Sequence, residues 1–165
     1  MQRTALFPGS FDPFTRGHAA VVEQALGIFD RVVIAIGHNI AKRGLLDIDA
    51  RRRLIEDCYK AQPRVEVTTY TTLTGDEARR AGAATIIRGA RTAADFDYER
   101  ILDQANRRLF PELASIVIMV DPQLADISSS LVRELLSFGR SIDQFMPEGI
   151  DLKRIISPLW NLQPK

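Results

Sequence analysis

Gly9-Ser10-Phe11-Asp12-Pro13-Phe14-Thr15-Arg16-Gly17-His18 stands between a short apolar run, Thr4 to Phe7, and an amphipathic stretch that begins at Ala19. Pro8-Gly9 closes the run, and Ala19, Val22, Ala25, Leu26 and Phe29 then recur at helical spacing. A strand, a loop and a helix in that order place the loop at the carboxyl end of its strand, where an open parallel sheet binds ligands. Gly9 lets the backbone come close to a ligand. Gly17-His18 sets an imidazole at a helix N-terminus, where free N–H groups and the helix dipole favour phosphate. An imidazole there can donate to charge developing on a phosphoryl group. For an isolated Gly-His pair the simpler reading is a turn capped by Asp12 or Ser10, with a satisfied histidine. The whole ten-residue string points instead to phosphate.

The rest of the chain repeats the alternation. Further apolar runs are Val32 to Ile36, Val65 to Tyr70, Thr85 to Ile87 and Ile116 to Val120. They are rich in β-branched residues, as expected of strands covered on both faces. Val65 to Tyr70 alternates more and is expected nearer an edge. Between them Leu54, Ile55, Cys58 and Tyr59 repeat at helical spacing, and so do Tyr98, Ile101, Leu102, Ala105 and Leu109, stopped by Pro111. Leu131, Val132, Leu135, Leu136 and Phe138 follow, with serines before them and Gly139 after. The expected fold class is α/β, a Rossmann-like doubly wound parallel sheet of about five strands with helices on both sides. Residues 1–139 form the core of a single domain. Residues 140–165 form a helical appendage, with pieces around Ser141 to Phe145 and Pro147 to Ser157, whose apolar tail, Ile155 to Trp160, is expected to pack on that core, or else on another subunit.

Composition narrows the function classes. The chain has 165 residues, 45% hydrophobic and 26% charged, enough for one ordinary core and incompatible with a wholly disordered chain. Lys and Arg number 22 against 21 Asp and Glu, which gives no general drive towards nucleic acid or acidic membranes. Cys58 is the only cysteine, so no intramolecular disulfide forms. It lies on an apolar helix face and reads as a core residue. No apolar stretch approaches the about 20 residues of a membrane-spanning helix. The early Pro8-Gly9 also argues against a signal peptide, so a cytoplasmic location is expected.

Two further segments carry chemistry. Asp126-Ile127-Ser128-Ser129-Ser130-Leu131-Val132-Arg133 offers hydroxyls and helix-terminal N–H groups to phosphates, although alone it would read as a serine N-cap. Arg88-Gly89-Ala90-Arg91 ends the fourth strand, where two guanidinium forks can grip separate phosphates. On a surface the same arginines would form a salt-bridge cluster.

The Gly9 to His18 string and the serine-rich turn resemble the signatures of the nucleotidyltransferase superfamily, which includes the class I aminoacyl-tRNA synthetases. Arg88-Gly89-Ala90-Arg91, then Asp95-Phe96-Asp97-Tyr98-Glu99, then Asn106-Arg107, with Lys42 after the second strand, is similar to the phosphopantetheine adenylyltransferase family. The resemblance runs from Thr4 to Pro147. It implies transfer of the adenylyl group of ATP to 4′-phosphopantetheine, giving dephospho-coenzyme A and pyrophosphate. The attacking phosphate is already anionic, so neither a strong general base nor a covalent intermediate is needed, and orientation with positive charge suffices.

By the same resemblance the catalytic residues are His18, Lys42, Ser10 and Arg91. His18 contacts the α-phosphate. Ser10 and Lys42 hold the attacking phosphate, assisted by Arg88. Arg91, Ser129 and Ser130 take the β- and γ-phosphates, and Gly9, Phe11, Ala90 and Ser128 complete the ATP loops. Gly89, Glu99, Leu124, Ala125, Asp126 and Ile127 line the adenosine site, while Leu73, Thr74, Asn106 and Glu134 shape the pantetheine channel. Mg²⁺ accompanies ATP, held mainly by phosphate oxygens and water. A homohexamer inhibited by coenzyme A is implied as well. Ser10 stands where Thr is usual, Thr74 where Met is more typical and Leu124 where many members have Trp. The segment Arg43 to Ala50 also departs, although Arg51 matches. Relatives acting on nicotinamide mononucleotide, or on a phosphorylated alcohol with CTP, share the front motif; Lys42 and Arg88 to Glu99 favour phosphopantetheine. A non-catalytic nucleotide-binding regulator would be expected to lack His18 or Lys42. A tRNA synthetase is disfavoured by the short chain and the balanced charge.

Overall fold

The computed structural model describes residues 2–38 and 44–150. Five strands, β1 (Thr4–Gly9), β2 (Arg31–Gly37), β3 (Val65–Tyr70), β4 (Thr85–Ala90) and β5 (Ala114–Met119), form one sheet in the order β3-β2-β1-β4-β5. Every pairing is parallel. The helices are α1 (Arg16–Leu26), α2 (Ile48–Tyr59), α3 (Thr74–Arg80), α4 (Ala93–Leu109) and α5 (Ser129–Ser137). This is the expected doubly wound sheet, with β3 at an edge.

Alternating strand residues feed two cores. Phe7, Val32, Ile34, Ile36, Ile87 and Ile118 pack on one face with Val21, Val22 and Ala25 of α1, Leu54 and Ile55 of α2, and Val132 and Leu136 of α5. Leu6, Val33, Ala35 and Ile86 face the other side, where Ala78 of α3, Phe110 and Leu113 cover them. Each fully buried Val or Ile contributes about 1.5–3 kcal/mol. Cys58 packs at the margin of the larger core and is half-buried there. Burial pushes its thiol up to about 12, so it stays protonated and inert at neutral pH.

β1 and β4 pair only at Ala5 with Thr85 and at Leu6 with Ile86. Beyond those residues β1 keeps its ladder to β2 through Gly9, and β4 keeps its ladder to β5 through Ala90. The sheet therefore splits at its centre, where the connections turn to opposite sides, and a crevice opens between Phe7–Gly9 and Ile87–Ala90. Pro8 lies beyond the last β1–β4 pair, within the part of β1 that pairs only with β2.

Two features go beyond what the periodicity indicates. α3 has no apolar repeat and was not among the expected helices; it is held by Gly75 and Ala78 against Phe110 and the sheet. The apolar face of α4 does not join the core. No α4 residue is buried, and Tyr98, Ile101 and Leu109 are each about three-fifths exposed. After α5 the chain makes one 3-10 turn, Asp143–Phe145, within the expected first piece of the appendage, and Ile142 and Met146 enter the larger core. The second expected piece lies mostly outside the described residues, as does the apolar tail. Among the described residues no helix is long and apolar enough to cross a membrane.

Candidate active site

The crevice holds a cavity of about 540 Å³ lined by Gly9, Ser10, Phe11, His18, Arg88, Gly89, Arg91, Glu99 and Ile127 to Ser130. Three separate stretches of sequence thus meet in it, as the motifs imply. A second cavity, about 760 Å³, shares Pro8, Gly9, Ser10 and Arg88 with the first and extends under Gly37, His38 and Tyr70 to Thr74. Leu124 and Ala125 line an adjoining hollow with Arg91, Val120 and Asp121, so they lie next to the first cavity rather than in it. Ala90 is fully buried beneath the strand end, and Asp126 is exposed beside Ile127. Asn106 and Glu134 line neither of the two main cavities. Lys42 lies outside the described residues.

His18 is set by its own loop. It is the third residue of α1, and its Nδ1 accepts the backbone N–H of Thr15, the N-cap, at 3.0 Å. That is the reciprocal arm of a capping box, with imidazole in the place of the usual Glu or Gln. Nδ1 is therefore unprotonated and Nε2 carries the proton. The ring stacks on Phe14 at 5.4 Å between centroids and meets Phe11 edge-on at 5.1 Å. This apolar cage, and secondarily the Arg91 cation, pushes the imidazole down to about 4. At neutral pH His18 is a neutral donor, suited to stabilising phosphoryl charge rather than to moving protons.

The loop is braced from three sides. Phe11 has a φ of 46°, the only non-glycine positive value among the described residues. A Cβ on Gly9 would lie 2.7 Å from the Phe11 ring, so only glycine admits that ring over the strand end. Asp12 accepts the N–H groups of Leu45 and Leu46 at 2.7 and 2.8 Å. Arg51 lies 3.4 Å from the same carboxylate and donates to the carbonyls of Leu46 and Ser10. The third brace is α5: Arg133 donates to the Asp12 carbonyl at 2.7 Å, and the Ser129 hydroxyl donates to the Pro13 carbonyl at 2.9 Å.

Each hydroxyl of the serine turn has a partner within the protein. The Ser128 hydroxyl accepts the Leu131 N–H as a helix cap, the Ser129 hydroxyl faces Pro13, and Ser130 Oγ accepts from Arg133. α5 thus offers an anion the N–H groups of its first turn, and the hydroxyls of Ser128 and Ser130, which only accept in these bonds, keep their own protons to donate.

Arg91 and Arg88 supply the cations. Arg91 pairs with Asp95 at 3.1 Å and reaches the Ile127 carbonyl, which fixes it between β4 and the serine turn. Burial works against the Asp95 carboxylate, yet the Arg91 N–H and guanidinium hold it below its usual range. Arg88 stands where the two cavities meet, 3.3 Å from Glu99, and both side chains are largely covered. Burial raises the Glu99 carboxyl despite Arg88, and its Oε2 has no hydrogen-bond partner. Sequence reasoning missed Thr15, Arg133, His38 and Tyr70 as site residues. His38 and Tyr70 were findable, since His38 follows β2 and Tyr70 ends β3 at the same rim of the sheet; Arg133 stood at the end of the serine string but was given no role of its own.

The cytidylyltransferase-like family model matches residues 6–135. A phosphopantetheine adenylyltransferase of Porphyromonas gingivalis is 49% identical over 148 residues, covering 90% of this chain and 96% of that relative. The chain belongs to the phosphopantetheine adenylyltransferase family. Its Bacteroides thetaiotaomicron member is 43% identical over 91% of this chain and 99% of its own length. The fold reaches further than the family. A bifunctional NMN adenylyltransferase/ADP ribose pyrophosphatase from Francisella tularensis, solved with AMP and a manganese ion, superposes with a TM-score of 0.73 at 18% identity. That match covers 99% of this chain, which spans half of the Francisella chain.

Proposed function

We propose that this chain is a cytoplasmic enzyme of coenzyme A biosynthesis that transfers the adenylyl group of ATP to 4′-phosphopantetheine and releases pyrophosphate. The observation that carries this reading is the junction of the two cavities at Gly9, Ser10 and Arg88. ATP occupies the first cavity, with its α-phosphate beside His18 and its outer phosphates against Arg91 and the first turn of α5. The acceptor's phosphate rests at Ser10 and Arg88, joined by Lys42, while its arm runs towards Leu73 and Thr74. Both reactants then present phosphates to one point from opposite sides of β1, which suits direct in-line displacement. Glu99 Oε2 takes a hydroxyl of the nucleoside. Leu124, Ala125 and Asp126 edge the adenine end.

Mg²⁺ arrives with ATP, held by phosphate oxygens and water, and neutralises charge on the triphosphate. Among the described residues no three His, Cys, Asp or Glu side chains are placed to hold a metal ion. The exposed apolar face of α4 supports self-association, the hexamer expected of the family. Coenzyme A shares the acceptor's arm and so competes for the second cavity. The test offers purified protein ATP, Mg²⁺ and 4′-phosphopantetheine, and measures pyrophosphate. Parallel reactions supply nicotinamide mononucleotide, glycerol 3-phosphate and CTP. Release with phosphopantetheine supports the proposal; release only with one of the others overturns it.

A further inference from the structure

The second cavity has a polar wall that the phosphate chemistry does not use. Tyr70, the last residue of β3, places its Oη 3.1 Å from Oγ1 of Thr74, the first residue of α3. The phenol lies across the end of β2: a Cβ on Gly37 would stand 3.2 Å from Oη and 3.3 Å from the ring carbon bearing it. The backbone reinforces this, because the His38 N–H donates to the Tyr70 carbonyl at 2.9 Å. Leu73, between the two hydroxyls in the chain, lines the same cavity and is 57% exposed. A fixed pair of hydroxyls beside an open leucine matches a ligand arm on which amide and methyl groups alternate. A phenol that shares one hydrogen bond with Thr74 keeps a second free for such an arm.

We infer that Tyr70, held by Thr74, is a specificity-determining residue that hydrogen-bonds an amide of the phosphate acceptor's arm. The inference rests on the reading of the second cavity as the acceptor site, and it adds a contact made by the side chain of β3's last residue. Thr74 orients the phenol rather than contacting the acceptor through its own hydroxyl. A side chain without a hydroxyl at position 74 would leave the phenol to rotate. The contact is made in ground state and transition state alike, so its loss weakens binding without slowing the bound complex.

The test compares steady-state kinetics of the full chain and of Tyr70→Phe, Thr74→Val, Thr74→Ser and the double variant Tyr70→Phe/Thr74→Val. Tyr70→Phe is expected to raise KM for 4′-phosphopantetheine about 3- to 10-fold, the range for one lost hydrogen bond, with KM for ATP and kcat within twofold. Thr74→Val should raise the same KM, Thr74→Ser should restore it, and the double variant should be no worse than Tyr70→Phe alone. Unaltered ATP kinetics show that the variants fold. Tyr70→Phe with unchanged KM for the acceptor, in an enzyme that adenylylates phosphopantetheine normally, overturns this inference alone. A parent chain inactive on phosphopantetheine overturns the acceptor-site reading and this inference with it.

Discussion

The backbone N–H of Thr15 donates to Nδ1 of His18 at 3.0 Å, which fixes the imidazole proton on Nε2. The aromatic cage around the ring then keeps it neutral. A neutral donor contributes where phosphoryl charge grows and little to ground-state binding. His18→Ala should therefore lower kcat by about 10²- to 10³-fold, while calorimetry finds ATP affinity changed by only a small factor. Unchanged turnover in that variant removes His18 from the mechanism.

The same cage makes a pH prediction. His18 titrates near 6.5 when unfolded and about 4 when folded. Between those values the unfolded chain binds the extra proton, so stability falls as pH drops through that window and levels off below it. Chemical denaturation at several pH values should show a shallower slope from pH 6.5 to 4 in His18→Asn than in the parent protein. NMR of the ligand-free protein should find the imidazole neutral at pH 5.5.

Much of this was legible in the chain and some was not, for definite reasons. The central strands β2, β1 and β4 announce themselves because a central parallel strand is apolar on both faces, the edge strands β3 and β5 by their β-branched runs, and the first loop is legible because its residues are contiguous. α3 was invisible: Thr74 to Arg80 buries only Gly75, Glu77 and Ala78, too little apolar surface to leave a helical repeat. The α4 repeat was plain, but periodicity reports that a face is apolar and not what covers it. The serine turn opens α5 where the sequence places it, but which hydroxyl donates its proton within the protein, Ser129 to the Pro13 carbonyl, depends on a residue 116 positions away. The Asp12–Arg51 brace joins residues 39 positions apart, and no local pattern encodes such a pair.

That brace carries the next prediction. Both side chains are about nine-tenths covered, and the guanidinium also holds the Ser10 and Leu46 carbonyls. Arg51→Met leaves a buried carboxylate facing only backbone donors, and urea unfolding should show a loss of about 3 kcal/mol. Gly44→Ala drives a methyl into the same guanidinium without altering any charge, so it should be destabilising too. Both variants should raise KM for the phosphate acceptor, because Ser10 loses its anchor. Stability equal to the parent in Arg51→Met contradicts the brace.

The open face of α4 predicts assembly. Ile101 and Leu109 are 60% and 59% exposed on a helix that buries none of its residues in the single chain. Sedimentation should find the parent protein as a hexamer and Ile101→Glu/Leu109→Glu as smaller species. A parent protein that sediments as one chain at working concentration contradicts this use of α4.

The central claim is that two phosphates meet across β1 and exchange in one displacement. It is tested by stereochemistry at the α-phosphorus. With one diastereomer of adenosine 5′-(α-thio)triphosphate and 4′-phosphopantetheine, the thiophosphate product should show inverted configuration. Retention would mean two displacements through a covalent enzyme intermediate, and the direct encounter at Ser10, His18 and Arg88 would be wrong.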